Sequence, residues 1–145
     1  MKTVIYIRIA AVLTLIHAVL HTVGGVFGSI DPGPETIAAA AMKSNQFMAM
    51  GNMRTFWDFY MGMGLAVSLF LTMESVVFWF LASLARSRAS ELRPILIVFA
   101  IGYLAFAIDS YRYFFLAPVV VECIIALCLV AAAISAHDKV ETATA

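Results

Sequence analysis

The chain has 145 residues, of which 63% are hydrophobic and 12% charged, with nine Lys and Arg balancing nine Asp and Glu. Soluble domains average about half apolar and a quarter charged, so water is excluded as the solvent for most of this surface, and a balanced charge offers nucleic acid no attracting field. The mean hydropathy of +0.98 points to a bilayer instead.

The first apolar run, Val4 to Phe27, exceeds the roughly 20 residues needed to cross a bilayer. Lys2 ahead of it imitates a secretory signal, but the run is too long, holds Arg8, His17 and His21, and is followed by no clean small-residue cleavage site. A retained span is expected. From Gly28 to Thr55 the chain is mixed: DPGPE (Asp31 to Glu35) reads as a turn and a helix start, with Pro34 and Glu35 in the first turn. Thr36 to Met50 reads as a short Ala- and Met-rich helix. Lys43, Ser44, Asn45 and Gln46 make it too polar to cross, so it belongs at the interface.

The second span lies within Phe56 to Ala85, with Trp57 and Trp79 about 33 Å apart on a straight helix, the spacing of an aromatic belt. A basic loop with Arg86, Arg88 and Arg93 follows, and Pro94 is expected to open a third span. A tight connection around Leu116 to Pro118 leads to the fourth. Cys123 and Cys128, both in that span, are expected to be core thiols. The fold expected is all-α: one transmembrane domain over 1–145, an integral membrane four-helix up-down-up-down bundle with spans at about 4–27, 56–82, 95–115 and 119–136. The short interfacial helix sits in its first loop. Gly24, Gly28, Gly102, Ala105, Ala126 and Ala133 are the expected close-packing positions. Lys2, Arg8, Arg86, Arg88, Arg93 and Lys139 lie on one side, against Lys43, Arg54 and Arg112 on the other. The positive-inside rule then places both termini in the cytoplasm, and in a bacterium the first loop would face the periplasm.

Ionisable groups inside a span cost about 2.5–3.5 kcal/mol at its centre, so they face the interior, pair or act. Measured from each span's midpoint, His17 lies about 2 Å and His21 about 8 Å toward the outer side, with Asp109 at about 6 Å, Arg112 at about 10 Å and Glu122 at about 8 Å. Thr14, His17, His21, Gly24 and Gly28 share one face; Gly102, Ala105, Asp109 and Arg112 share another. An outward-facing polar pocket is therefore expected from His17, His21, Asp109, Arg112 and Glu122, with Arg54 and Asp58 at its rim. The competing reading makes Asp109 and Arg112, Arg54 and Asp58, and Arg112 and Glu122 structural pairs, and the histidines satisfied packing groups. Glu74 lies near the depth of Arg8, which suggests an ion pair. On a helical wheel, however, both point away from the pocket faces, so they face a second subunit of a homo-oligomer, the helix bends at MGMG (Met61 to Gly64), or Arg8 snorkels.

A bis-histidine haem needs ligands on opposite faces of the ring, and His17 and His21 project from one face of one helix, with His137 far away at the other end. The H-x-x-x-H spacing suits zinc with Asp109 or Glu122 as a third ligand. Copper would use Met48, Met50, Met53, Met61 and Met63. Gap-filling methionine and hydrogen-bonded histidine explain both patterns without metal, so neither a metal nor a cofactor is assigned.

At HTVGG (His21 to Gly25) and FWDFYMGMGL (Phe56 to Leu65) the chain resembles small bacterial four-span membrane proteins, similar in layout to DoxX-like proteins. These share an H-T-x-G end to the first span and an F-Y-x-G-x-G-L start to the second. The resemblance implies architecture, with His21 and the second-span glycines where helices meet, and implies no activity. The expected function is binding of a small lipophilic molecule in the pocket, with membrane lipids as partners and nucleic acid excluded. The alternatives are a cofactor-free isomerase moving a proton on an isoprenoid- or sterol-like substrate, and a structural membrane subunit without a ligand. No nucleophile motif, phosphate loop or dinucleotide fingerprint decides for an enzyme.

Overall fold

A computed structural model describes residues 2–141, with side chains described as far as residue 136, so the readings that used the side chains of His137 and Lys139 lie outside the described residues. Apart from one small hairpin the fold is all-α. Helix α1 (Lys2–Leu20) runs on into a π-helical turn (His21–Val26), followed by α2 (Pro34–Ser44), β1 (Gln46–Ala49), β2 (Asn52–Thr55), α3 (Phe56–Tyr113) and α4 (Leu116–Glu141). Among the described residues, three helical stretches are long and apolar enough to cross a membrane: Lys2–Val26, Phe56–Tyr113 and Leu116–Ala136.

The 58 residues of α3 are not straight, because Arg88 leaves helical geometry (φ −129°, ψ 39°). A straight helix would separate Glu74 from Tyr103 by about 44 Å, yet the two are hydrogen-bonded at 2.7 Å. The chain therefore folds back at Arg88, and residues 56–87 and 89–113 are separate helical arms. The basic loop expected there is a single non-helical residue, and Pro94 lies inside the second arm, where it removes one backbone hydrogen bond, rather than at its start. Phe114 and Phe115 alone link α3 to α4.

The residues pack as two compact units, Met1–His17 with Leu71–Ala145, and Ala18–Phe70. The core of the first unit is drawn from four helical segments. Ile7, Ala10 and Ala11 meet Phe78, Ala82 and Ala85, then Leu92, Leu96, Ala100 and Tyr103, and finally Ile125, Ala126, Leu129, Ala132 and Ala133. Each set recurs at three- and four-residue spacing, and the alanines let helix backbones approach closely. Ala126 and Ala133 are buried as expected, whereas Gly24, Gly102 and Ala105 face outward. The outer surface is apolar too: Val98, Ile101, Leu127 and Ile134 are all more than 60% exposed. Cys123 and Cys128 are free and half-buried, Cys128 packing against the core.

In the second unit, Pro34 and Glu35 open α2 as expected, and Glu35 Oε2 accepts the backbone N–H of Asp31 at 3.0 Å. The helix stops at Ser44, six residues earlier than expected. Asn45 caps it, its Nδ2 donating to the carbonyl of Ala41 at 2.7 Å. The next ten residues form an antiparallel hairpin in which Phe47 pairs with Arg54 and Met48 with Met53. Met50 (φ +48°) and Gly51 (φ +85°) make its turn, both in the left-handed region that a tight hairpin turn requires. Phe47 packs on Phe56 (4.8 Å between centroids) and Phe59 (5.9 Å), and the Lys43 ammonium sits 4.1 Å from the Trp57 ring centre.

Candidate functional site

On the arm 89–113 the buried stripe is Leu92, Leu96, Ala100, Tyr103, Ala107 and Ser110. This is a different face from the one that carries Gly102, Ala105, Asp109 and Arg112, all of which are exposed. Arg112 stands one residue from the end of α3, where a long side chain reaches past the helix terminus. The hydroxyls of Tyr103 and Ser110, two helical turns apart, are the polar groups that this arm places inside.

Two polar clusters result in the first unit. In one, the Tyr103 hydroxyl donates to Glu74 Oε2 at 2.7 Å, and Thr14 Oγ1, 3.1 Å away, donates to the Tyr103 oxygen. In the other, Ser110 Oγ donates to Glu122 Oε1 at 2.9 Å, and His17 Nε2 lies 4.0 Å from that same oxygen. The imidazole stacks on Phe106 at 6.1 Å and 24°. Glu122 is 0% exposed, and among the described residues its Oε2 has no hydrogen-bond partner. A carboxyl with one oxygen held and the other free, beside an imidazole, can accept a hydrogen bond from a bound molecule or exchange a proton with it.

His17 and Glu122 come together, with Thr14 on the same buried face of α1. Asp109 and Arg112 are exposed on another face of α3, and His21, Arg54 and Asp58 belong to the second unit. Among the described residues the ion pairs are His17–Glu122 and Arg88–Glu91, so the Asp109–Arg112, Arg54–Asp58, Arg112–Glu122 and Arg8–Glu74 pairs do not form. Glu74 is held by Tyr103, while the Arg8 guanidinium lies 5.1 Å from the Trp79 ring centre. A cation over an indole face is attracted without any carboxylate. Arg54 donates to the adjacent Met53 carbonyl at 2.9 Å. Asp58 caps α3: its carboxylate accepts the Thr55 N–H at 2.8 Å, and Thr55 Oγ1 accepts the Asp58 N–H at 3.1 Å. Among the described residues no three His, Cys, Asp or Glu side chains gather as a metal site would need.

Tyr103 and Ser110 carry no charge to mark them in an apolar span; their signal is a hydroxyl pair at seven-residue spacing in register with Leu92, Leu96 and Ala100. Tyr103→Phe removes the donor on which Glu74 relies and should cost about 1–3 kcal/mol in detergent unfolding. Glu91→Gln touches a pair whose side chains are 63% and 67% exposed and should change stability by less than about 1 kcal/mol.

His21 belongs to the second unit. Its Nε2–H donates to the carbonyl of Gly64 at 3.1 Å, an oxygen that also accepts from Ser68 Oγ at 3.2 Å. The π-helical turn presents it there. Thr22 Oγ1 bonds back to the Ala18 carbonyl at 2.6 Å, and the Phe27 N–H reaches the Thr22 carbonyl at 3.0 Å. A Cβ at Gly64 would stand 3.0 Å from Val26 Cγ2, so glycine is what lets the two segments approach. Gly64 of MGMG and the HTVGG histidine therefore meet. Gly64→Leu should cost about 1–3 kcal/mol by overpacking, measured as a lower unfolding midpoint, with Gly62→Leu, where an added Cβ meets nothing, as the tolerated control.

No protein-family model, curated protein or solved structure matches this chain.

Proposed function

We propose that the chain is an integral protein of the bacterial inner membrane that binds a small lipophilic molecule at Glu122 and His17. In this reading the two arms of α3 cross separately, giving four spans in up-down-up-down order with both termini cytoplasmic, a layout like that of DoxX-like proteins. The apolar exterior of the first unit and the Lys and Arg distribution support insertion. The observation that carries the binding reading is the free Oε2 of a fully buried Glu122. Leaving such an oxygen without a donor costs about 1–3 kcal/mol, which a hydroxyl or amide N–H on an otherwise apolar guest would offset. The binding set is accordingly His17, Glu122 and Ser110, with Phe106 as the stacking wall of the imidazole. The same carboxyl and imidazole would serve an isomerase in moving a proton, with no cofactor.

Native mass spectrometry of the protein released from a mild detergent tests this. A discrete organic mass retained by the wild type and absent from His17→Phe is the expected result. Bare protein from several detergents would favour a structural subunit instead, a reading that the Thr14–Tyr103–Glu74 chain supports, since satisfied polar groups of that kind fix helix register.

A further inference from the structure

We propose that the first unit carries a second, separate site, a groove that seats one acyl chain of an anionic phospholipid with its phosphate on Arg93. The proposal rests on the membrane reading above but not on the Glu122 site.

The groove runs between the arm 89–113 and α4, with a volume of about 240 Å³. Its floor is Ala100 and Ala133, 3% and 4% exposed, and its walls are larger aliphatic side chains, among them Ile101 and Ile134, 62% and 61% exposed. Two alanines facing each other beneath tall aliphatic neighbours make a furrow rather than a flat surface. On the helical arm the lining recurs at Arg93, Ile97, Ala100, Ile101 and Leu104, one unbroken face. From Arg93 to Leu104 is about 16 Å of helix, close to half of the roughly 30 Å hydrocarbon thickness and so to the depth of one leaflet. Everything along it is apolar except the arginine at its end.

Charge fixes the kind of lipid. Arg86, Arg88 and Arg93 are all exposed near the fold-back at Arg88. Among the described side chains Glu91 pairs with Arg88 at 3.9 Å, and Arg93 has no acidic partner. A guanidinium at the mouth of an apolar furrow, at headgroup depth, presents two parallel N–H donors to a phosphate. A zwitterionic headgroup would bring its own cation to the same place, whereas a glycerol-phosphate headgroup would not.

The test offers the full-length protein in detergent equal amounts of palmitoyl-oleoyl phosphatidylglycerol and phosphatidylcholine, and reads bound lipid by native mass spectrometry. Phosphatidylglycerol adducts are expected to exceed phosphatidylcholine adducts by about fivefold. Arg93→Gln should remove that preference, while Arg93→Lys and Arg86→Gln keep most of it. Dioctanoyl phosphatidylglycerol, with the same headgroup and short chains, should compete poorly. Equal retention of the two lipids, or a preference that survives Arg93→Gln, would overturn the proposal, as would full competition by the short-chain lipid. Release of the chain from cell membranes by alkaline carbonate would instead sink the membrane reading itself, a separate outcome.

Discussion

Phe78→Ala is expected to be the most destabilising single truncation in the first unit, lowering the unfolding free energy by about 3–5 kcal/mol. The ring is fully buried, edge-on to Phe99 at 4.9 Å and 6.1 Å from Tyr103, among alanines too small to collapse into the space it would leave. Inside a bilayer the lost transfer energy shrinks, because lipid tails are as apolar as the core, and what remains is lost dispersion contact around an empty cavity. The effect therefore belongs nearer the lower end of the range if the unit is inserted. Phe80→Ala is the control: that ring is 69% exposed, and its removal should shift stability by less than about 0.5 kcal/mol. Chemical denaturation in detergent micelles, followed by circular dichroism, compares the two. Equal losses would mean that the buried and outward faces of the arm 56–87 have been exchanged.

That exchange is the error to which sequence reading was prone here. Hydropathy found every long helix, because about 20 consecutive apolar residues read the same whichever way the helix is rotated. It could not orient them: a helix apolar all round has no polar face to point outward. For the arm 89–113, Asp109 and Arg112 served as the guide, on the premise that charge turns inward, and it gave the wrong face. Near a helix end that premise can fail, since a side chain there can escape along the axis. Glu122, in the second turn of α4, and His17 are nonetheless buried, so distance from a helix end does not by itself decide which charge turns inward. The hairpin from Gln46 to Thr55 was missed for a different reason. Alanine and methionine favour helix, and Met50-Gly51 is a weak turn signal beside Asn-Gly. Yet Asn45 as a cap and Gly51 six residues later were both visible. The Gly64 approach to Val26 was legible because glycine and histidine motifs restrict backbone and side chain together, while the Tyr103 link to Glu74 joins residues 29 positions apart across a fold-back that only the structure locates.

Glu122→Leu should separate the binding reading from its structural rival more sharply than any other change. Leucine has similar volume and no polar atom, so it removes both the oxygen that Ser110 holds and the one that has no hydrogen-bond partner among the described residues. Replacing a half-satisfied buried carboxyl with a fitting apolar side chain is commonly neutral or stabilising. Ser110 can return its hydroxyl to a carbonyl one turn back on its own helix, and His17 keeps its stacking on Phe106. The expected result is an unfolding midpoint equal to or above that of the wild type. If Glu122 exists to receive a guest's hydrogen bond, the retained organic mass should vanish at the same time: a hydrogen bond to a charged group is worth about 1.5–3 kcal/mol, or roughly 10- to 150-fold in affinity. Glu122→Gln, which keeps an acceptor oxygen, should fall between the two. A leucine variant that unfolds would show instead that the Glu122, Ser110 and His17 cluster is there to fix helix register. A leucine variant that folds but retains no organic mass would place the use of this carboxyl in what it binds.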